Sequence, residues 1–335
     1  MRRRHCSAVA VSAAALALLA SAAPRASAQK GADEEGALFL LLPVGARSVG
    51  SGQAVVAERP GSEAVWWNPG ALARLEKREL ALHHSQSIIY KGDAISVVVP
   101  SSLLGTIALS FNLLDYDEIP DTPADPTLPS TGKILPRNLA LAGSYAATLG
   151  SRLSAGVTYK LVQFRLDCIG SCTFDSPPAS TSALDFGLQY DIPGSKKDGA
   201  AVAGVGVALR NVGLRFQVND RDQADRLPTR LQIGGIYRIT LSDELLRGGE
   251  VSLMGDLIDA VSISSPGAHV GASLGIRKRV YLRGGYAYEP AGGSSPSVGI
   301  GVDAGKLVVD VASIIGGLSF GSGQPPTFLS LRYLF

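Results

Sequence analysis

The sequence predicts an all-β protein: a transmembrane antiparallel β-barrel of about 14 strands around a small N-terminal plug containing short helical turns. Three observations predict it. Beyond residue 79, short segments alternate large apolar residues with small or polar ones. The second face of that alternation is mostly Gly, Ala and Ser, where a soluble sheet would carry Lys, Glu and Thr. The long connections all fall at odd-numbered hairpins, so they emerge on one rim. Composition is consistent with this. Of 335 residues, 18% are charged and 46% hydrophobic, with 39 glycines and a formal net charge of +2. So apolar a chain can bury enough surface to order itself, and so balanced a charge excludes the basic footprint of a nucleic-acid binder.

The elements follow in order. Arg2-Arg3-Arg4, the apolar run Ala8–Ala20 and the small residues Ala26-Ser27-Ala28 form a signal peptide over 1–28, cleaved before Gln29. The apolar run is too short for a spanning helix, which needs roughly 20 residues. Residues 29–78 do not alternate and are expected to form the plug. There Asn68-Pro69 marks a helix start, because Asn can cap free N–H groups and Pro suits the first helical position. Trp66 and Trp67, the protein's two tryptophans, immediately precede it. A barrel of 14 strands is too wide for wall side chains to fill, so a plug is physically sensible.

Residues 79–335 carry the barrel. In Thr106–Leu113 every odd position is large and apolar, and Leu184, Phe186, Leu188 and Tyr190 oppose Asp185, Gly187 and Gln189. Strands are expected to start near Glu79, Asp93, Leu104, Asn138, Arg152, Ala179, Ala200, Leu227, Gly249, Ala268, Arg279, Ser297, Lys306 and Thr327. The longest loops are expected after the third, fifth and seventh strands, at 117–133, 168–178 and 211–226. Lys160, Asp185, Arg210, Arg238, Arg283 and Arg332 fall on the inner face and can pair across the lumen. A soluble sandwich would alternate too, but its second face would meet water. Tyr90, Tyr116, Tyr190, Tyr286, Tyr288 and Tyr333 near strand ends suit an interfacial girdle, or plain strand propensity. Cys168 and Cys172 read as a loop-stapling disulfide; a metal or redox site would need further ligands nearby.

The run Gly45-Ala46-Arg47-Ser48-Val49-Gly50-Ser51-Gly52-Gln53-Ala54, followed by Trp67-Asn68-Pro69-Gly70-Ala71-Leu72, resembles the start of the PorV/PorQ family within the FadL-like outer-membrane barrels. Two positions depart from the usual pattern: Ser51 stands where Met is common, and Gly70-Ala71 inverts the Ala-Gly order. The resemblance implies a fourteen-stranded barrel with an N-terminal plug. It marks Arg47, Gly50, Gly52, Trp66, Trp67, Asn68 and Pro69 as the plug or gate motif. FadL-like relatives pass hydrophobic molecules through a lateral wall opening, whereas PorV-like relatives hold or shuttle secreted proteins in type IX secretion. The closing strand, ending on Phe335, resembles the signal read by the barrel assembly machinery.

Two function classes follow. One is a conduit for small hydrophobic molecules across the outer membrane of a Gram-negative-type bacterium, with lipid as its surroundings. The other is a non-transporting barrel that binds or shuttles secreted proteins, the Asp- and Pro-rich stretch 115–129 offering a partner surface. No enzyme, cofactor or metal is expected. A barrel lipase would need a Ser–His pair at the outer face; His83 and Ser85 share a face, but no oxyanion hole or orienting acid is recognisable.

Overall fold

The computed structural model describes residues 35–121, 132–172, 178–193, 201–216, 224–241, 248–260, 265–290, 293–316 and 324–335. The expected signal segment 1–28 lies outside the described residues, as do parts of several connections.

The alternating segments pair in sequence order into one antiparallel sheet. Its strands are β1 (Glu79–Gln86), β2 (Tyr90–Ser101), β3 (Gly105–Tyr116), β4 (Ile119–Asp121), β5 (Gly132–Leu149), β6 (Leu153–Gly170), β7 (Ala179–Pro193) and β8 (Ala201–Gly213). They continue with β9 (Arg230–Thr240), β10 (Glu250–Ala260), β11 (Gly267–Ile276), β12 (Val280–Glu289), β13 (Gly293–Asp303), β14 (Leu307–Ile314) and β15 (Thr327–Leu334). β1 pairs with β15, from Glu79 opposite Leu334 to Gln86 opposite Thr327, and β3 pairs with β5, so the sheet closes. The three-residue β4 only extends β5 beyond the ring, leaving fourteen strands in the wall. Closure removes the unpaired edges that a bilayer could not satisfy.

Thirteen of the fourteen expected strand starts fall within four residues of the observed ones. β5 departs most, starting at Gly132 rather than Asn138, because it runs past the ring to pair with β4 and with the far end of β6. That extension also corrects the loop expectation. The connection after the fifth wall strand shrinks to 171–178, and the one at 315–326 is longer. Both lie at odd-numbered hairpins, on the same rim, but the nine-residue connection 241–249 after the eighth wall strand, on the other rim, is longer than 171–178.

Each strand presents one face outward and one inward. On β2, Ile95, Val97 and Val99 are exposed, whereas Ala94, Ser96 and Val98 are buried. Leu257 is 61% exposed and Ile107 57%. An apolar surface this extensive has no place in water and suits a lipid-facing belt. His84 and Asp93 are the outward polar pair near the long-loop end of β1 and β2, Nδ1 to Oδ1 at 2.8 Å. Tyr190, Tyr286, Tyr288 and Tyr333 point outward as expected. Tyr90 does not: it is buried inside, its ring 6.5 Å from that of Tyr116, whose hydroxyl accepts from Asn138 at the inner face.

Neighbouring wall strands are laddered throughout, with register breaks only between β7 and β8. At one of them Arg210 and Asn211 stand opposite the single Asp185, with Asn211 at φ 60°. Strict alternation would send Asn211 toward lipid. The extra residue of this bulge keeps both consecutive polar side chains inside.

Candidate functional site

The lumen is occupied by residues 35–75. After a 3₁₀ turn at Leu38–Leu41 come helix α1 (Ala46–Gly50), a 3₁₀ turn at Gly61–Glu63, helix α2 (Ala64–Trp67) and a 3₁₀ helix at Pro69–Arg74. None exceeds six residues, so their backbone groups need partners outside the helices. Asn68 supplies several. Its Oδ1 accepts from Gly70 N–H at 3.0 Å, the expected cap with Pro69 at the first helical position. Its Nδ2 donates to Val56 O at 2.6 Å and, across to the wall, to Leu188 O at 3.1 Å.

Inward-facing wall glycines receive the plug. A Cβ on Gly187 would fall on Asn68 and Gly70, one on Gly156 on Pro69, one on Gly206 on Val56. On the other side of the ring, Gly271, Gly285 and Gly299 meet Ser51, Gly52 and Gly50. Backbone therefore lies against backbone at both sides. The small-residue inner face is a seat for the plug, and this is why Gly50 and Gly52 of the motif are needed.

Polar anchors fix the plug between these seats. Glu63 is fully buried, and four donors converge on its carboxyl: Arg47 N–H (3.2 Å), Ser48 N–H (2.9 Å), Ser48 Oγ (2.6 Å) and Ser330 Oγ (3.3 Å). Burial pushes this carboxyl up to about 7. Gly45, at φ 97°, leaves the space the Glu63 carboxyl occupies. Ser330 also accepts from Ala46 N–H at 2.8 Å and lies 2.8 Å from His83 Nδ1. Beside it, Arg332 reaches Asp310 at 3.1 Å, and Glu79 accepts from Ser62 N–H at 3.0 Å. Arg47 itself bonds Glu58 at 2.5 Å; burial raises Glu58, but the adjacent guanidinium holds it below the usual carboxylate range. Asp256 accepts from Val56 N–H at 2.9 Å, and Asp191 takes Arg59 at 2.5 Å.

The expected lumen charges sort into three kinds. Lys160 pairs with Asp185 at 2.6 Å and Arg283 with Asp310 at 2.7 Å, across neighbouring parts of the wall. Arg210 has no carboxylate partner among the described residues. It donates to Trp66 O (3.1 Å) and Gln232 (3.3 Å) and lies 5.2 Å from the Trp67 ring. Arg238 lies on the inner face with no hydrogen bond or ion pair among the described residues. Trp66 and Trp67 are buried; Lys160 stands 5.7 Å from the first ring, and the second donates Nε1–H to Val44 O at 2.9 Å. Cys168 and Cys172 form a disulfide at the end of β6, outside this site (S–S 2.02 Å). His83 and Ser85 do face inward together, but His83 contacts Ser330 and Ser62, while Ser85 donates to Gly92 O.

Sequence reasoning missed Glu63, Ser48, Glu58 and the wall glycines as seats. The available signal was Glu63 itself, a carboxylate set in the apolar run that leads to Trp66. Two pockets at the plug–wall junction, one lined by Phe39, Leu42, Trp66, Trp67 and Arg210, each offer about 10 Å³, room for a single water.

A closed fourteen-strand wall with an apolar exterior and a polar-anchored plug defines a plugged membrane barrel, and the fold is that of FadL-like outer-membrane barrels. Among solved structures the chain is similar to the Ralstonia pickettii toluene transporter TbuX: 13% identity, 87% of this chain and 98% of that one covered, TM-score 0.54. It is also similar to the monoaromatic hydrocarbon channel CymD (14%, 90% and 99%, TM-score 0.57). The Pseudomonas putida toluene transporter TodX compares at 11%, 86% and 95%, with TM-score 0.53. No protein-family model matches the sequence, and no curated protein matches it.

Proposed function

We propose that this chain is an outer-membrane barrel, exported by its cleaved signal 1–28 and inserted through its closing strand, that serves as a conduit for small hydrophobic molecules. The observation that carries the reading is the plug seated inside a wall whose fold is shared with toluene and monoaromatic hydrocarbon carriers. The two pockets at the plug–wall junction have room for one water each, so an aromatic ring entering there would have to displace the plug. Such a shift would exchange the plug's hydrogen bonds and ion pairs for water and would also part the apolar cluster in which Val65, Trp66 and Leu72 pack on Val98, Leu114 and Val162 of the wall. The test is uptake of labelled toluene or fatty acid by a deletion strain. Uptake restored by the wild-type chain supports the conduit.

A second reading is a PorV/PorQ-like barrel that binds secreted proteins. The tightly filled plug–wall junction and the run Gly45–Ala54 favour it. A deletion that leaves uptake unchanged but blocks secretion, together with co-purification of secretion components, would establish this reading and remove the first.

A further inference from the structure

The rim of short turns carries a row of basic side chains without partners. Arg277, Lys278 and Arg279 form the turn between β11 and β12, Lys306 closes the turn between β13 and β14, and Lys77 and Arg78 lead into β1 beside β15. All six are exposed, and among the described residues none of their side chains makes a hydrogen bond or ion pair. The turns are successive along the wall, so at about 4.8 Å per strand they follow one continuous arc. The acidic residues beside it are Glu76, Asp303, which accepts from Gly305 N–H at 2.7 Å, and Glu250, exposed at the start of β10 opposite Gly275. On the opposite rim, Lys133, Arg137 and Arg230 are paired with carboxylates, while Lys91 and Arg165 are exposed without such a partner among the described residues.

The first turn adds an independent observation. Arg279 N–H closes it onto Ile276 O at 3.0 Å, with Arg277 at φ 52° and Lys278 at φ 54°. Two consecutive positive φ values are the signature of a turn where Asn-Gly is at home and long side chains are not. The backbone carries strain here to display two cations. Directly beneath the arc the wall is apolar and aromatic, with Leu307 and Tyr333 exposed and Tyr333 stacked on Phe335 at 5.9 Å. Cations placed just beyond a lipid-facing belt meet the headgroups of that leaflet.

We propose that this arc binds anionic phospholipid headgroups of the leaflet it borders, a site centred on Arg277, Lys278, Arg279 and Lys306. The proposal rests on the membrane-barrel reading. The test uses the full processed chain and an R277N/K278G variant. The variant removes two charges while installing the dipeptide the turn prefers, so a folding defect cannot mimic the result. Each protein is reconstituted in phosphatidylcholine vesicles with increasing phosphatidylglycerol, re-extracted, and its retained phosphatidylglycerol counted by native mass spectrometry. Wild-type protein is expected to retain phosphatidylglycerol over phosphatidylcholine. The variant's affinity is expected to fall roughly fivefold for each charge removed, with thermal stability in pure phosphatidylcholine equal or higher. Equal retention by both proteins would overturn the site, as would binding of an acidic periplasmic protein with no lipid preference. A chain that inserts in phosphatidylcholine yet shows no lipid preference defeats only this proposal. A chain recovered detergent-free in buffer defeats the barrel itself.

Discussion

Glu63 concentrates the plug's attachment in one side chain. Its carboxyl sits at about 7 instead of 4.5 because it is buried, so the docked plug binds a proton more tightly than the undocked one. Docking is therefore strongest below about pH 4.5 and weakens as pH rises toward 7. Protease protection of the plug in micelles, followed across that range, should show this fall, and Glu63→Gln should flatten it. Asn68→Ala removes the cap and the bonds to Val56 O and Leu188 O. The cap alone is worth about 1 kcal/mol and the lost bond to Leu188 O about 1 more, whereas Val56 O keeps its donor, Gln189 Nε2 at 3.0 Å. Limited proteolysis should cut near residue 68 markedly faster than in the wild type, with the barrel itself unchanged. Lys160→Met leaves the Asp185 carboxylate buried without its cation, at a cost of about 3–5 kcal/mol in urea unfolding. Lys160→Met with Asp185→Leu should recover only part of it, because Asp185 also accepts from Asn211 N–H at 2.7 Å and Lys160 donates to Asn211 Oδ1 at 2.9 Å; full recovery would show that the pair holds nothing but itself in place.

Between strands and plug, the decisive contact is backbone on backbone. Gly187→Val places branched carbons where Asn68 and Gly70 lie, so the plug must lift. Overpacking of this kind costs typically about 1–3 kcal/mol. The substitution should leave the strand ladder intact, because Gly187 pairs regularly with Gly156 and Ala208. Heat-modifiable mobility of the barrel on gels should be retained while hydrophobic uptake rises. A loss of both would mean the glycine serves the strand and not the seat. These seats were only half legible. Alternation placed Gly156 and Gly187 on the inner face, but a glycine there reads equally as a narrow lumen, and nothing local distinguishes emptiness from occupancy. The bulge at Asp185 was not legible, since it depends on which two residues of β8 meet one of β7.

At the scale of the whole molecule, plug and wall are two solutions to one requirement. A fourteen-strand ring leaves a wide interior, and a polar interior column must be filled or flooded. Deleting residues 35–74 should convert the closed lumen into a water-filled one. Single-channel conductance in planar bilayers would register this as a large, persistent rise over the wild type. An unchanged conductance would mean the loops, not the plug, seal the barrel.

What the sequence determined by itself is the wall: period-two alternation, an apolar face with few charges and one-sided long loops leave a closed membrane barrel as the consistent outcome, because each of those signals is local to a strand or hairpin. Tertiary structure alone decided how the lumen is filled. Ser330 meets Glu63 from 267 residues away, and Ala46 meets Ser330 across 284. No local pattern encodes such partners; they exist only once the ring has closed and the N-terminal segment has come to rest against its glycines.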